Sequence, residues 1–229
     1  MRLTLLLPAA ALLLATVTQA ADAPPLKKGE RIIFLGDSIT AGGVRPTGYV
    51  TLVKNALNEK HKDLGVEVIG AGVSGNKVPD LQRRLDKDVL AKKPTLVVVY
   101  IGINDVWHGE KDPARGTMPD KYEAGLKEVI GKIKDAGGRV VLCTPTVIGE
   151  KKPGTNSLDA KLDQYADISR KVAKETGVPL CDLRKAFQDY LTKHNADDKD
   201  KGVLTTDRVH LNDAGNKLVA DTILATIDK

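Results

Sequence analysis

Apolar residues recur along this chain in two rhythms, short continuous runs and longer stretches in which every third or fourth position is apolar. Arg31-Ile32-Ile33-Phe34-Leu35 is of the first kind, and its β-branched and aromatic content suits a buried strand. Val66-Glu67-Val68-Ile69 and residues 95–101, 139–143 and 178–183 read as further strands. The run Thr95-Leu96-Val97-Val98-Val99-Tyr100-Ile101 is the most apolar of them, a pattern typical of parallel sheets covered on both faces. Helical spacing links Tyr49, Leu52, Val53, Ala56 and Leu57, then Leu81, Leu85 and Val89-Leu90. After a loop reaching Pro119 it links Tyr122, Leu126, Val129, Ile130 and Ile133, and Gly137-Gly138 ends that helix. Residues 157–176 predict a helix capped by Ser157, with Leu158, Leu162, Tyr165 and Val172 facing inward. A short helix at 186–191, a polar surface loop at 195–202 and a last helix carrying Leu218, Val219, Ile223 and Ile227 complete the order. With no internal repeat and no long linker, this alternation predicts one doubly wound, three-layer α/β/α domain of about five parallel strands.

The amino-terminal residues stand outside that pattern. Met1-Arg2 is followed by a nearly all-apolar stretch at 3–17 and then by Thr18-Gln19-Ala20, the layout of a secretory signal peptide cleaved after Ala20. The run is short for a bilayer span, and no later segment is long and apolar enough to be one. Residues 21–30 then form a Pro/Lys-rich leader and 31–229 the folded domain. An exported chain without integral membrane association is the expectation. The 229 residues are 41% hydrophobic and 28% charged, an ordinary globular composition. Loss of Arg2 takes the formal net charge from +5 to +4, and both signs are interspersed along the chain. With neither a basic stripe nor interleaved aromatics, no nucleic-acid partner is expected. Cys143 and Cys181 both fall in predicted strands. They could bridge only if those strands are neighbours with suitable geometry, and two buried free thiols are the expectation.

Three predicted strands end at glycine-marked turns, Gly36-Asp37-Ser38, Gly70-Ala71-Gly72 and Gly102-Ile103-Asn104-Asp105. In a parallel sheet these turns gather along the edge where open α/β folds bind ligands. A fourth segment, Asp207-Arg208-Val209-His210, precedes the last helix. Its spacing can set a carboxylate beside imidazole Nδ1, leaving Nε2 to take a proton from Ser38. Each residue also has a plainer reading: Asp207 as a turn cap, Gly72 as a dihedral requirement, Asn104 as a loop former and His210 as a surface histidine. Their joint order at successive strand ends favours the chemical one. Asp37 and Asp105 are expected to shape their turns through local hydrogen bonds. Asp37, Asp207 and His210 could alternatively ligate a metal, but their spacing is not that of a metal site, and no metal or cofactor is expected.

In these four blocks the chain resembles the SGNH hydrolases, also called GDSL esterases or lipases, with Ile39 where the family name has leucine. The likeness runs from Arg31 to the final helix. It implies a flavodoxin-like fold and a carboxylic-ester hydrolase with Ser38 as nucleophile, His210 as base and Asp207 as its orienting acid. It also implies an oxyanion hole formed by the N–H groups of Ser38 and Gly72 and the side-chain amide of Asn104. The small domain and export signal resemble the branch that deacetylates carbohydrates, so a small-molecule or carbohydrate ester is the expected partner. Lysophospholipases and thioesterases share the blocks, and a catalytically inactive binding module would keep the same fold. Trp107 and His108, just past Asn104, are candidates for contact with the substrate, with plain packing the alternative for Trp107.

Overall fold

The computed structural model describes residues 25–228; the predicted signal peptide and the first four residues of the leader lie outside the described residues. The apolar runs form strands β1 (Arg31–Gly36), β2 (Glu67–Gly72), β3 (Leu96–Tyr100), β4 (Arg139–Cys143) and β5 (Leu180–Cys181). All pair in parallel, in the order β2-β1-β3-β4-β5. Central β3 is buried at every position, as its unbroken apolar run demands, whereas edge strand β2 is largely half-exposed.

Among the described residues eight α-helices cover the sheet: α1 (Ser38–Gly43), α2 (Tyr49–Lys60), α3 (Val78–Asp88), α4 (Ile103–Trp107), α5 (Pro119–Asp135), α6 (Asp159–Thr176), α7 (Leu183–His194) and α8 (Asp213–Ile227). One layer packs α2 on α8 and α8 on α7; the other packs α3 on α5 and α5 on α6. Their apolar stripes meet the strands in one continuous core in which Ile33, Val53, Leu81, Val98, Leu126, Leu162 and Val219 are all inaccessible to solvent. From β1 the chain moves outward to β2, then crosses back to β3 on the other side. The carboxyl ends of β1 and β3 therefore form the crevice where this strand order reverses.

Four details differ from the expectation. Helices α1 and α4 occupy stretches that read as turn and loop. At six and five residues, neither is long enough to display a helical period. Strand β5 spans two residues rather than 178–183, because Asp182 accepts a hydrogen bond from Lys185 N and starts α7 there. Ser157 does not cap α6, whose first turn follows Leu158. The carboxylate of Asp159 instead gathers the N–H groups of Gly154 (2.9 Å) and Asn156 (3.1 Å). Strand β2 runs on to Gly72, beyond the predicted end at Ile69. Cys143 and Cys181 are partners in register on β4 and β5, both buried and unbridged. Burial, with the Cys181 thiol beside it, pushes the Cys143 thiol well above its ordinary range.

Candidate active site

Ser38 is the first residue of α1, immediately beyond β1. Asp37 turns the chain there: its Oδ1 accepts from Ile39 N at 2.9 Å, and its carbonyl accepts from Ala41 N at 2.9 Å. The hydroxyl of Ser38 is thereby presented at the carboxyl edge of the sheet. His210 Nε2 lies 2.9 Å from Ser38 Oγ, and His210 Nδ1 lies 2.7 Å from Asp207 Oδ2. An ionised carboxylate only accepts, so Nδ1 carries the proton it donates to Asp207 and Nε2 is left as acceptor for the serine hydroxyl. Burial opposes the charge of Asp207, but hydrogen bonds from the backbone and ring of His210 outweigh it and hold the carboxyl below its usual range.

The loop bearing these two residues is shaped by its backbone. Asp207 Oδ1 accepts from Val209 N (3.1 Å) and His210 N (2.8 Å), and Arg208 between them takes a left-handed φ of +87°. Thr206 N donates to His210 O at 2.8 Å, closing the loop across its neck. Its foot is clamped by Glu150, a fully buried carboxylate that accepts the consecutive N–H groups of Val203 (2.7 Å), Leu204 (2.7 Å) and Thr205. Gly149 N adds a bond to Arg208 O at 2.9 Å. Nothing in the sequence singles out Glu150, because its partners are backbone amides that any residue would supply.

Gly72 closes β2 against the Ser38 turn. A Cβ there would fall 2.1 Å from Ala41 N and 2.7 Å from Asp37 O, so only glycine allows this approach. At the end of β3, Gly102 adopts φ +128° and directs the chain into α4, which carries Asn104. The Asn104 amide is buried and donates to Asn76 O at 3.0 Å, which leaves its second N–H for another acceptor. Asp105 Oδ1 accepts from Val78 N at 3.0 Å and so ties α4 to the start of α3. Burial pushes the carboxyl of Asp37 up to about 7, with the charge of Asp105 adding to it. Burial likewise raises Asp105 to about 6.

A cleft of about 700 Å³ opens at Ser38 and His210 and is lined by polar and apolar surface in nearly equal measure, with Arg45, Thr47, Ser74, Asn212 and Asn216 among the polar residues and Ile39, Ala41 and Leu211 among the apolar ones. Trp107 and His108 line a separate hollow of about 270 Å³ with Glu110, Lys111 and Arg115, sharing no lining residue with that cleft. The His108 ring approaches Gly75, next to the cleft residue Ser74. Among the described residues, no three His, Cys, Asp or Glu side chains gather as a metal site.

Residues 34–218 match the model of the GDSL-like Lipase/Acylhydrolase family. An acetylxylan esterase of Geobacillus stearothermophilus is 35% identical over 216 residues, covering 87% of this chain and 94% of that protein. The crystal structure of the acetyl xylan esterase AlAXEase superposes with a TM-score of 0.82 at 46% identity, covering 85% of this chain and 98% of that one. An acetylxylan esterase from Geobacillus stearothermophilus has also been solved as catalytic mutants replacing a serine, a histidine or an aspartate, at 32% identity and a TM-score of 0.79, with 89% of this chain and 96% of that chain covered. The aspartate mutated there stands three positions before the histidine, the spacing of Asp207 and His210.

Proposed function

This chain belongs to the GDSL-like lipase/acylhydrolase family and is a carboxylic-ester hydrolase, and we propose that it removes short acyl groups, acetyl foremost, from carbohydrate through an acyl-serine intermediate. The observation that carries this reading is the unbroken hydrogen-bonded line from Ser38 Oγ through the His210 ring to Asp207. A serine hydroxyl is a weak nucleophile until a base accepts its proton. His210 Nε2 takes that proton as Oγ attacks the ester carbonyl, and the imidazolium that forms is steadied by Asp207. The negative charge on the former carbonyl oxygen is met by the N–H groups of Ser38 and Gly72 and by the free N–H of the Asn104 amide. Collapse of the tetrahedral intermediate expels the sugar alkoxide, which takes the proton from His210. Water then repeats the sequence on the acyl-serine and releases the acid.

Relatives that act on acetylxylan support an acetylated sugar as substrate. The hydroxyl, amide and charged groups that share the cleft lining with apolar surface offer hydrogen-bond partners for a sugar ring. The amino-terminal signal pattern points to work outside the cytoplasm, where such polymers are met. The test is hydrolysis of p-nitrophenyl esters from acetyl to palmitoyl, with acetylated xylan alongside, by wild type and Ser38→Ala. Acetyl is expected to be turned over fastest, with S38A folded and inactive. Wild-type turnover by S38A would refute the mechanism, and a preference for long acyl chains would shift the assignment to lipid or thioester substrates.

A further inference from the structure

Arg84 lies on α3, outside the cleft, and its neighbour Arg83 behaves as a surface arginine normally does, with 70% of its side chain exposed and an ion pair to Asp80. Arg84 is different. Only 14% of its side chain is exposed, and every nitrogen of its guanidinium is engaged. Nε donates to Asn76 Oδ1 at 2.7 Å and Nη1 to Asp88 Oδ2 at 3.1 Å. Nη2 donates to two carbonyls at once, Gly36 O at 2.8 Å and Ala71 O at 2.9 Å. Gly36 ends β1 and leads into the Ser38 turn; Ala71 precedes Gly72; and Asn76 O is the acceptor that holds the Asn104 amide. One cation thus touches two of the segments that carry the proposed oxyanion donors and reaches the third, Asn104 on α4, only through Asn76.

The contact with Ala71 is the most direct. Ala71 C=O and Gly72 N–H belong to one planar trans peptide group, so their bonds point in opposite directions. Fixing the carbonyl on Arg84 fixes the aim of the Gly72 N–H. A cationic donor on the carbonyl also polarises the peptide and strengthens its N–H as a donor. We propose that Arg84 is a positioning residue for the oxyanion hole, acting through the Ala71–Gly72 peptide and through Asn76. This rests on the acyl-serine reading above and adds a residue that never touches the substrate.

The test compares Arg84→Gln, Arg84→Lys and a control, Arg83→Gln, with S38A run alongside. With p-nitrophenyl acetate, R84Q is expected to lose roughly tenfold to hundredfold in kcat with KM changed little. That is less than the about 10²–10³ typical of deleting a donor outright, because the donors stay and only their aim degrades. R84K, which keeps a charge but a single donor head, recovers part of the loss, and R83Q matches wild type. A small alkylboronic acid, whose adduct with Ser38 is tetrahedral, binds R84Q more weakly by a similar factor. The acid limb of the pH–rate profile stays in place, because the His210 side of the site is untouched. Should R84Q fail to fold by circular dichroism, R84K carries the same comparison. A kcat within twofold of wild type, or a loss accompanied by a displaced acid limb, overturns the inference while inactive S38A leaves the ester-hydrolase mechanism standing. An active S38A removes both.

Discussion

Asp37 and Asp105 behind Ser38 and Asp159 beside Arg184 are all closed to solvent, the first two set deeper in the protein, and their carboxyl groups are pushed in opposite directions. Around Arg184 the charge is matched. The fully buried guanidinium donates to Asp159 Oδ1 (2.8 Å), Asp163 Oδ1 (2.7 Å) and Thr146 O (2.9 Å). Burial penalises the Asp159 anion, but hydrogen bonds from Arg184 and Asn156 prevail and hold it below its ordinary range. Behind Ser38, among the described residues, no ion pair offsets the burial, and Asp37 and Asp105 rise to about 7 and about 6. The first cluster ties α6 and α7 to the loop after β4, and it depends on charge. The second lies under a site proposed to develop negative charge on an oxygen, and acids that resist ionisation oppose that charge less. Burial alone does not set the charge of a group; what it is buried against does.

The contrast can be broken at either end. Arg184→Met is expected to have the largest effect, because it strands Asp159 without its cation; removing one partner of such a pair costs about 3–5 kcal/mol. Thermal denaturation would show it, and kcat per folded molecule should stay near wild type. Asn104→Ala, one residue from Asp105, should do the reverse: a loss of about 10²–10³ in kcat on p-nitrophenyl acetate with a much smaller change in melting temperature. The smallest effect is the most diagnostic. A carboxyl whose pKa is raised on folding stabilises the native state fully below its unfolded value of about 4, and that contribution is lost as pH rises through its folded value. For Asp37 and Asp105 the melting temperature should therefore fall between about pH 4 and pH 7. Asp105→Asn keeps an acceptor for Val78 N and removes the ionisation, so it should flatten part of that slope and melt higher than wild type at pH 8. An unchanged slope would mean that Asp105 does not titrate in this range. Asp159 and Asp207, both lowered, lose their contribution only as pH falls below the ordinary Asp range, which leaves the window from 4.5 to 8 clear of them.

The sheet was legible because parallel strands covered on both faces are written as unbroken apolar runs, and β1, β3 and β4 fall within a residue or two of those runs. Short elements were not legible. Helix α1 owes its start to the Asp37 cap and α4 follows the turn at Gly102, and neither feature leaves a periodic trace. The meeting of Ser38, His210 and Asp207 was legible because side chain meets side chain there, and chemistry restricts which residue types make such a line. The contacts of Arg84 and Glu150 were not. Each binds main-chain atoms, which carry no residue identity, and in a charged sequence each looks like one more solvated side chain. Trp107 and His108, read as candidates from their place after Asn104, line a hollow of their own, with the His108 ring near Gly75 and so beside the cleft residue Ser74.

Glu150 also fixes how the molecule would respond to being cut. The turn at residues 151–155 is exposed throughout, a natural target for a protease. A nick there separates β1–β4 and Ser38 from the piece holding Asp207 and His210. The two halves would still be stapled by three amides on one carboxylate, beside the native packing of α2 on α8 and α5 on α6. The cleaved protein should stay associated and keep working, and separately produced fragments should find each other, so this enzyme could be assembled from two chains.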